Sequence, residues 1–198
     1  MPSRKKPSAA KSSPEVGGST SLTFRPVTSA TCADFERLFG SPGAPHYCWC
    51  MAWRRTSEEA KHPSGADAKR QMMKRITAGV PVGLLGYARG EPSAWVSIAP
   101  RDTFRLRGHE AGPDESIWSL TCFFVPRPLR GHGTVHALLE AAVEHARANG
   151  ATAVEAYAVD DTSPSYRHMG FVSVFRKAGF VEVGRAGTRR HVMRRKLR

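Results

Sequence analysis

The residues best suited to chemistry sit in one short run, Arg130-Gly-His-Gly-Thr134, directly ahead of a helix-patterned segment. Glycines at a strand-to-helix turn let the backbone approach a ligand closely, and the first amides of a helix have no partner within it. Those amides and the positive end of the helix dipole favour an anion, above all a phosphate. The run is therefore expected to hold a phosphorylated cofactor through Arg130, Gly131, His132, Gly133 and Thr134. Two common phosphate loops are excluded. No Gly-Lys-Ser/Thr follows the glycines, and a dinucleotide fingerprint would need glycine at the position of His136.

The elements that must position this loop are legible on both sides of it. Ile117-Trp-Ser-Leu-Thr-Cys-Phe-Phe-Val125 reads as the strand that feeds it. Val135, Leu138, Leu139, Ala142, Val143 and Ala146 then recur at helical spacing, and Asn149-Gly150 supplies the stop. Ala151 to Val159 reads as a largely buried strand, Phe171 to Ala178 as a short helix ended by Gly179, and Phe180 to Val183 and His191 to Leu197 as strands. In the front half, Leu22 to Val27 alternates as a strand, and Cys32 to Phe39 is a helix closed by Gly40. Asp67 to Ala78 is a second helix, with Met72, Met73 and Ile76 on its apolar side. Pro81 to Ala88 and Ser93 to Ile98 form a hairpin around Gly90-Glu-Pro92.

Arg130-Gly-His-Gly-Thr-Val135 resembles the pyrophosphate loop of the GNAT superfamily of N-acetyltransferases, Arg/Gln-x-x-Gly-x-Gly/Ala, with Val135 in place of the small last residue. Phe175-Arg-Lys-Ala-Gly-Phe180 resembles the same family's Tyr-x-Lys-x-Gly-Phe signature, with Phe175 where relatives carry tyrosine. The succession of elements follows the family order as well. The resemblance implies one α/β domain over residues 21–198, with a central mixed, mostly antiparallel sheet flanked by helices, and acetyl-CoA as acyl donor. His46-Tyr-Cys-Trp-Cys-Met-Ala-Trp-Arg54 further resembles a Cys-x-Cys-Met-x-Trp-Arg segment of a largely uncharacterised bacterial subgroup, which names no substrate.

The activity implied is transfer of acetyl from acetyl-CoA to a primary amine by direct attack on the thioester. A lysine-like amine has a reference pKa of ~10.4 and must lose a proton before it attacks. Glu115, just ahead of the cofactor strand, is the expected base. The oxyanion needs an amide donor, which the resemblance places between Cys122 and Val125, so Phe123, Phe124 and Val125 are expected to line the cofactor. Phe175 matches the family's proton donor but has no proton to give; it is expected to pack beside the cofactor, with Tyr166 serving as acid and Tyr157 and His168 as alternatives. The acceptor, a small molecule or a protein amine, is expected opposite the cofactor, against Trp53 and Arg54. Trp49 and Trp53 are four apart and would share a helix face that stacks on a cationic acceptor, while Arg54 would pair with an acceptor carboxylate. Burial of both tryptophans in the core is the competing reading. Phe175 and Val135 also keep open a catalytically silent acyl-CoA sensor.

Composition bounds the rest. A chain of 198 residues with 40% hydrophobic residues suits one domain, and no apolar run is long enough for a membrane helix. Residues 1–20 are rich in Ser, Pro, Lys and Gly and read as a disordered basic tail. The tail has no apolar core of a secretory signal, and Pro2, Pro7 and Pro14 interrupt an organelle-type amphipathic helix, so a cytoplasmic protein is expected. The net charge of +13 invites a nucleic-acid partner, but the Lys/Arg clusters are scattered and no recognition motif accompanies them. That reading stays secondary, and a homodimer is compatible with the sequence. Cys32, Cys48, Cys50 and Cys122 make no disulfide framework in a chain of this length. His46, Cys48 and Cys50 lack the second ligand pair of a usual zinc site, and buried free thiols are the expectation, with no metal.

Overall fold

The computed structural model describes residues 22–105, 110, 112 and 115–197; the expected tail, 1–20, lies outside the described residues. Seven strands form one sheet: β1 (Leu22–Pro26), β2 (Leu84–Ala88), β3 (Glu91–Pro100), β4 (Ile117–Phe124), β5 (Ala153–Val159), β6 (Val181–Ala186) and β7 (Arg190–Lys196). They lie in the order β1-β2-β3-β4-β5-β7-β6. Only β4 and β5 run parallel; every other neighbouring pair is antiparallel. This is the mixed, mostly antiparallel sheet expected from the sequence. Four helices flank it: α1 (Cys32–Phe39), α2 (Gly65–Thr77), α3 (Thr134–Ala148) and α4 (Val172–Lys177).

Alternation along the strands divides the core between two faces. Leu84, Val96, Ile98, Leu120 and Phe123 pack with the α3 stripe of Leu138, Leu139, Ala142, Val143 and Ala146, and with Phe175 of α4. Leu85, Trp95, Cys122 and Phe124 pack on the other face with Phe35, Leu38 and Phe39 of α1 and Met72 and Ile76 of α2. Every residue of β4 is buried, as the central strand of a two-sided core requires. Each fully buried Leu or Val of the α3 stripe contributes roughly 1.5–3 kcal/mol, so α3 is fixed by its apolar face rather than by its ends.

The β2–β3 turn differs from the expected one. Ala88 pairs with Glu91, so the turn is the two residues Arg89 and Gly90, both left-handed at φ 52 and 81. Pro92 therefore lies inside β3, opposite Tyr87 and beside a bulge. β4 pairs with β3 only from Trp95 onward, so the missing proline N–H interrupts no ladder on that side.

Candidate active site

Two irregularities in β4 create an opening in the middle of the sheet. First, its pairing with β5 runs from Ile117–Ala153 to Leu120–Ala156 and stops, although both strands continue. The two strands part there, and β4 loses a ladder partner on that edge. Second, the register against β3 slips between Ser97–Cys122 and Ile98–Leu120, leaving Thr121 as an extra residue. A bulge of this kind re-aims the groups beside it. Phe123 and Val125 consequently face α3, whereas Cys122 and Phe124 face α1 and α2. Thr121 Oγ1 donates to Ser97 Oγ at 3.1 Å, which ties the bulge to β3.

The opened end of β4 leads straight into the glycine loop. Gly131 and Gly133 are left-handed at φ 80 and 75, and Gly133 is the N-cap of α3 with no side-chain cap. A Cβ added at either glycine would meet nothing within 4 Å. The glycines are needed for backbone conformation and for an open concavity, not to avoid a neighbour. Thr134 Oγ1 donates to Leu129 O at 2.7 Å and Arg130 Nε to Val125 O at 2.8 Å, so both side chains brace the loop from inside. Val135, in the first turn of α3, is partly buried against the core. The first amides of α3 are left to a ligand, and an anionic group fits them.

Beyond the opening, the connection from β5 to α4 folds back into it. A single turn at Arg167–Met169 packs against both β4 and β5, and Val159 N donates to Gly170 O at 3.0 Å. Gly170 has φ +91, and a Cβ there would lie 2.8 Å from Phe175 and 3.1 Å from Phe123. Phe175 is fully buried, 6.2 Å from the Phe123 ring and 5.2 Å from that of Phe180. It forms a wall of the opening and carries no proton. Tyr166 holds a left-handed backbone at φ 58, a conformation that costs ~1–3 kcal/mol and clusters at functional sites. Its ring lies 6.2 Å from Trp53 and 6.4 Å from His168. His168 keeps an exposed surface, yet the protein packed around it disfavours the imidazolium and lowers its pKa.

Glu115 is not brought to this opening. It precedes β4 at the end opposite the glycine loop, six residues before Thr121, or about 20 Å at ~3.3 Å per residue. Its carboxylate accepts from Gly112 N at 3.0 Å and pairs with Arg194 at 3.2 Å, and the Gly112 N–H foremost, with that charge, lowers its pKa. A carboxylate so held is a weak base in the wrong place. Arg194 also holds Glu155, an acid that sequence reasoning passed over because it lies in an apolar strand, opposite Ser119 and just before the strands part. Fully buried, Glu155 accepts from Tyr157 Oη at 2.9 Å and pairs with Arg194 at 2.9 Å and Arg101 at 3.8 Å. Burial, then the Glu155 charge, raises the Tyr157 pKa, so this hydroxyl keeps its proton.

The aromatic segment before α2 also departs from expectation. Residues 46–54 form consecutive turns, not a helix, and Trp49 and Cys50 are left-handed at φ 44 and 59. The two tryptophans therefore share no face. Trp49 stacks in the core with Phe35 and Phe39, and Trp53 packs against the cluster of Tyr157, Met169 and Val192. Arg54 turns inward, 3% exposed, donating to Val82 O at 2.8 Å and Ser97 Oγ at 3.0 Å, with its guanidinium 3.9 Å over Phe104. It braces this segment to β3 and is not placed to meet an acceptor. Cys50 Sγ accepts from Trp95 Nε1 at 3.1 Å; the neighbouring Cys122 thiol, then Trp95 and the Arg54 charge, lower its pKa. His46 Nδ1 is spent on Ala44 O at 3.0 Å, and no group of three metal-ligating side chains assembles among the described residues.

The basic C-terminal run is split by strand alternation. Arg194 goes to Glu155 on one face and Arg195 to Glu140 of α3 on the other, so the run presents no single track of charge. No helix among the described residues is long and apolar enough to cross a membrane.

The family model described as Acetyltransferase (GNAT) family matches residues 46–180. Among solved structures, an uncharacterized protein from Bacillus halodurans superposes with a TM-score of 0.56 at 16% identity, covering 88% of this chain and 83% of that one. The GNAT domain of PAT from S. lividans gives 0.55 at 18% identity over 88% and 89%. The PaiA N-acetyltransferase of Thermoplasma acidophilum, solved in complex with coenzyme A, gives 0.54 at 12% identity over 89% and 99%. No curated protein matches.

Proposed function

Because the chain belongs to the GNAT family of acetyltransferases, we propose that it is an acyl-CoA-dependent N-acyltransferase that moves acetyl from acetyl-CoA to a primary amine. The observation that carries this reading is continuity. The parting of β4 and β5 at Leu120–Ala156 opens onto the uncapped start of α3 through one loop, with the bulge at Thr121 between them. A pyrophosphate on the α3 amides and an acyl thioester laid along the freed edge of β4 is the ligand shape this path fits. The donor set suits acetyl-CoA, with Gly131 to Thr134 on the phosphates, Arg130 bracing the loop, and Phe123 and Phe175 beside the pantetheine arm.

In the reaction the amine nitrogen bonds to the thioester carbon, the C–S bond breaks, and the amine proton ends on the sulfur. The β4 backbone at the bulge supplies the N–H donors for the developing oxyanion. His168 is the base, unprotonated at neutral pH because its surroundings lower its pKa. Tyr166, strained into place beside it, returns a proton to the thiolate. Glu115 has no part in this scheme.

The test is Gly133→Asp, which adds a negative charge beside the phosphate amides in open space. Calorimetry should show CoA affinity falling at least tenfold, and thiol release from acetyl-CoA should fall with it, while the fold survives. Unchanged affinity would refute the cofactor site. Tight CoA binding in the parent protein without thiol release on any amine would favour the silent sensor, a reading that rests on Phe175 in place of a tyrosine.

A further inference from the structure

Arg190 begins β7 opposite Val159, at the end of β5 that has parted from β4. It shares a strand face with Val192, which packs with Tyr157 and Met169, so its side chain lies on the Trp53 and Tyr166 side of the sheet. Its guanidinium lies against two neighbouring aromatic rings, 4.6 Å from the Trp53 centroid and 5.4 Å from that of Tyr166, which are themselves 6.2 Å apart. Its Nε donates to Ala186 O at 3.1 Å. Orientation is thus fixed, but the hydrogen-bonding capacity is not used. Among the described residues Arg190 Nη1 is buried without an acceptor, and so is Nε1 of Trp53 beneath it.

Two buried donors left open side by side are costly, the charged one more so. No carboxylate among the described residues answers them. Asp160 and Glu182 are engaged by His191 at 3.1 and 2.9 Å, and His191, the next residue of β7, points to the opposite face. The Arg190 side chain lines a cleft of about 320 Å³ with Tyr166, Gly187, Thr188 and Arg189. A Cβ on Gly187 would lie 3.8 Å from Nη2, an ordinary contact distance, so the Gly187 turn borders that edge of the guanidinium without crowding it. Arg189 adds a second positive charge at the rim, where its Nη1 donates to Ser165 Oγ at 3.0 Å.

We propose that this cleft is a carboxylate subsite, in which the Arg190 guanidinium, with the Trp53 indole packed against it, holds the carboxylate of an amino-acid-like acceptor whose amine faces the opening between β4 and β5. The assignment rests on the acyl-transfer reading above and gives it a substrate class. A guanidinium presenting two N–H groups in one plane matches a carboxylate bidentately. A purely cationic acceptor is disfavoured, because the Arg190 charge already lies against both rings and would repel a second cation.

Binding and turnover test this separately in the full chain. The indole N–H resonance of Trp53, assigned by its loss in Trp53→Phe, is titrated with a mixture of N-acetyl amino acids and with the corresponding N-acetyl amino acid amides. The acids should shift the resonance and the amides should not. Arg190→Gln should weaken the response at least tenfold, with Arg190→Lys intermediate because it keeps the charge and loses the fork. In the thiol-release assay Arg190→Gln should raise KM for amino-acid acceptors at least tenfold with a smaller change in kcat. The proposal is overturned if acids and amides act alike, if inorganic phosphate shifts the resonance as strongly as the acids, or if Arg190→Gln retains the parent response. Absence of thiol release on every amine would remove the acyl-transfer reading instead, and the indole titration would still decide the subsite.

Discussion

Arg54→Ala separates a structural brace from an acceptor ligand, and its effect can be worked from the contacts. The side chain donates to Val82 O at 2.8 Å and Ser97 Oγ at 3.0 Å from a fully enclosed position. Hydrogen bonds to a charged group contribute ~1.5–3 kcal/mol each, and truncation leaves buried acceptors open. Loss of the stack on Phe104, 3.9 Å away, removes roughly 1–2 kcal/mol more. Against this, the guanidinium is desolvated: burial pulls its pKa down, with the Cys50 charge opposing, and Nε is already unpartnered. Relief of that desolvation offsets part of the loss. The net expectation is about 3 kcal/mol of destabilisation, which for a chain of this size lowers the Tm by roughly 6–12 °C. Urea unfolding should show the midpoint falling at an unchanged m-value. Arg54→Lys should fall between, since an ammonium can replace Nη2 at both acceptors but loses the Nη1 contact with Thr103 Oγ1 and the planar stack on Phe104. A loss below about 1 kcal/mol, with a raised KM for the acceptor, would refute the brace and return Arg54 to the acceptor site.

Two further outcomes concern pH. His168 acts as a base only when unprotonated, and its pKa lies below the usual 6.5, so turnover should fall as pH drops through a limb below that value. Rate profiles of His168→Asn should lack that limb, and an unchanged limb would exclude His168. Glu59 is held down to about 2, first by hydrogen bonds from Arg75, which it meets at 2.7 Å. Its depressed pKa contributes stability that is complete above the ordinary carboxylate value of 4.5 and is lost as pH falls from there toward 2. After allowance for solvent screening this amounts to about 1–2 kcal/mol. Glu59→Gln should therefore flatten the acid side of the stability curve measured by denaturant titration, and an unchanged slope would show that the pair contributes nothing.

Local pattern determined much of this protein. Helical spacing from Val135 to Ala146, with glycine on either side, located α3 to within two residues of Thr134–Ala148. An uncapped helix start after two glycines is a local property, so the feature on which the proposed anion site rests was readable from Arg130 to Thr134 alone. Apolar runs found the strands, because burial on both faces demands them. Phe175 likewise declared itself unable to carry a proton by its chemistry alone.

What depended on distant parts of the chain was not legible. The turn at Arg89–Gly90 was displaced because pairing of Ala88 with Glu91 satisfied the strands better than a turn through Pro92. Trp49 and Trp53 sit at helical spacing, but two left-handed residues between Cys48 and Met51 send them to different clusters. Arg54 gave no sign that it would turn inward, since its partners Val82 and Ser97 lie 28 and 43 residues away. Glu115 lies next to β4 in sequence and at the wrong end of it in space. Glu155 was hidden in an apolar strand until β7 brought Arg194 beside it, and Arg190 looked like one more surface cation until folding laid it against Trp53 and Tyr166. Sequence carries periodicity and chemistry, which act over a few residues; which side chains face each other across a sheet is set by strand order and register, and these exist only once the chain has folded.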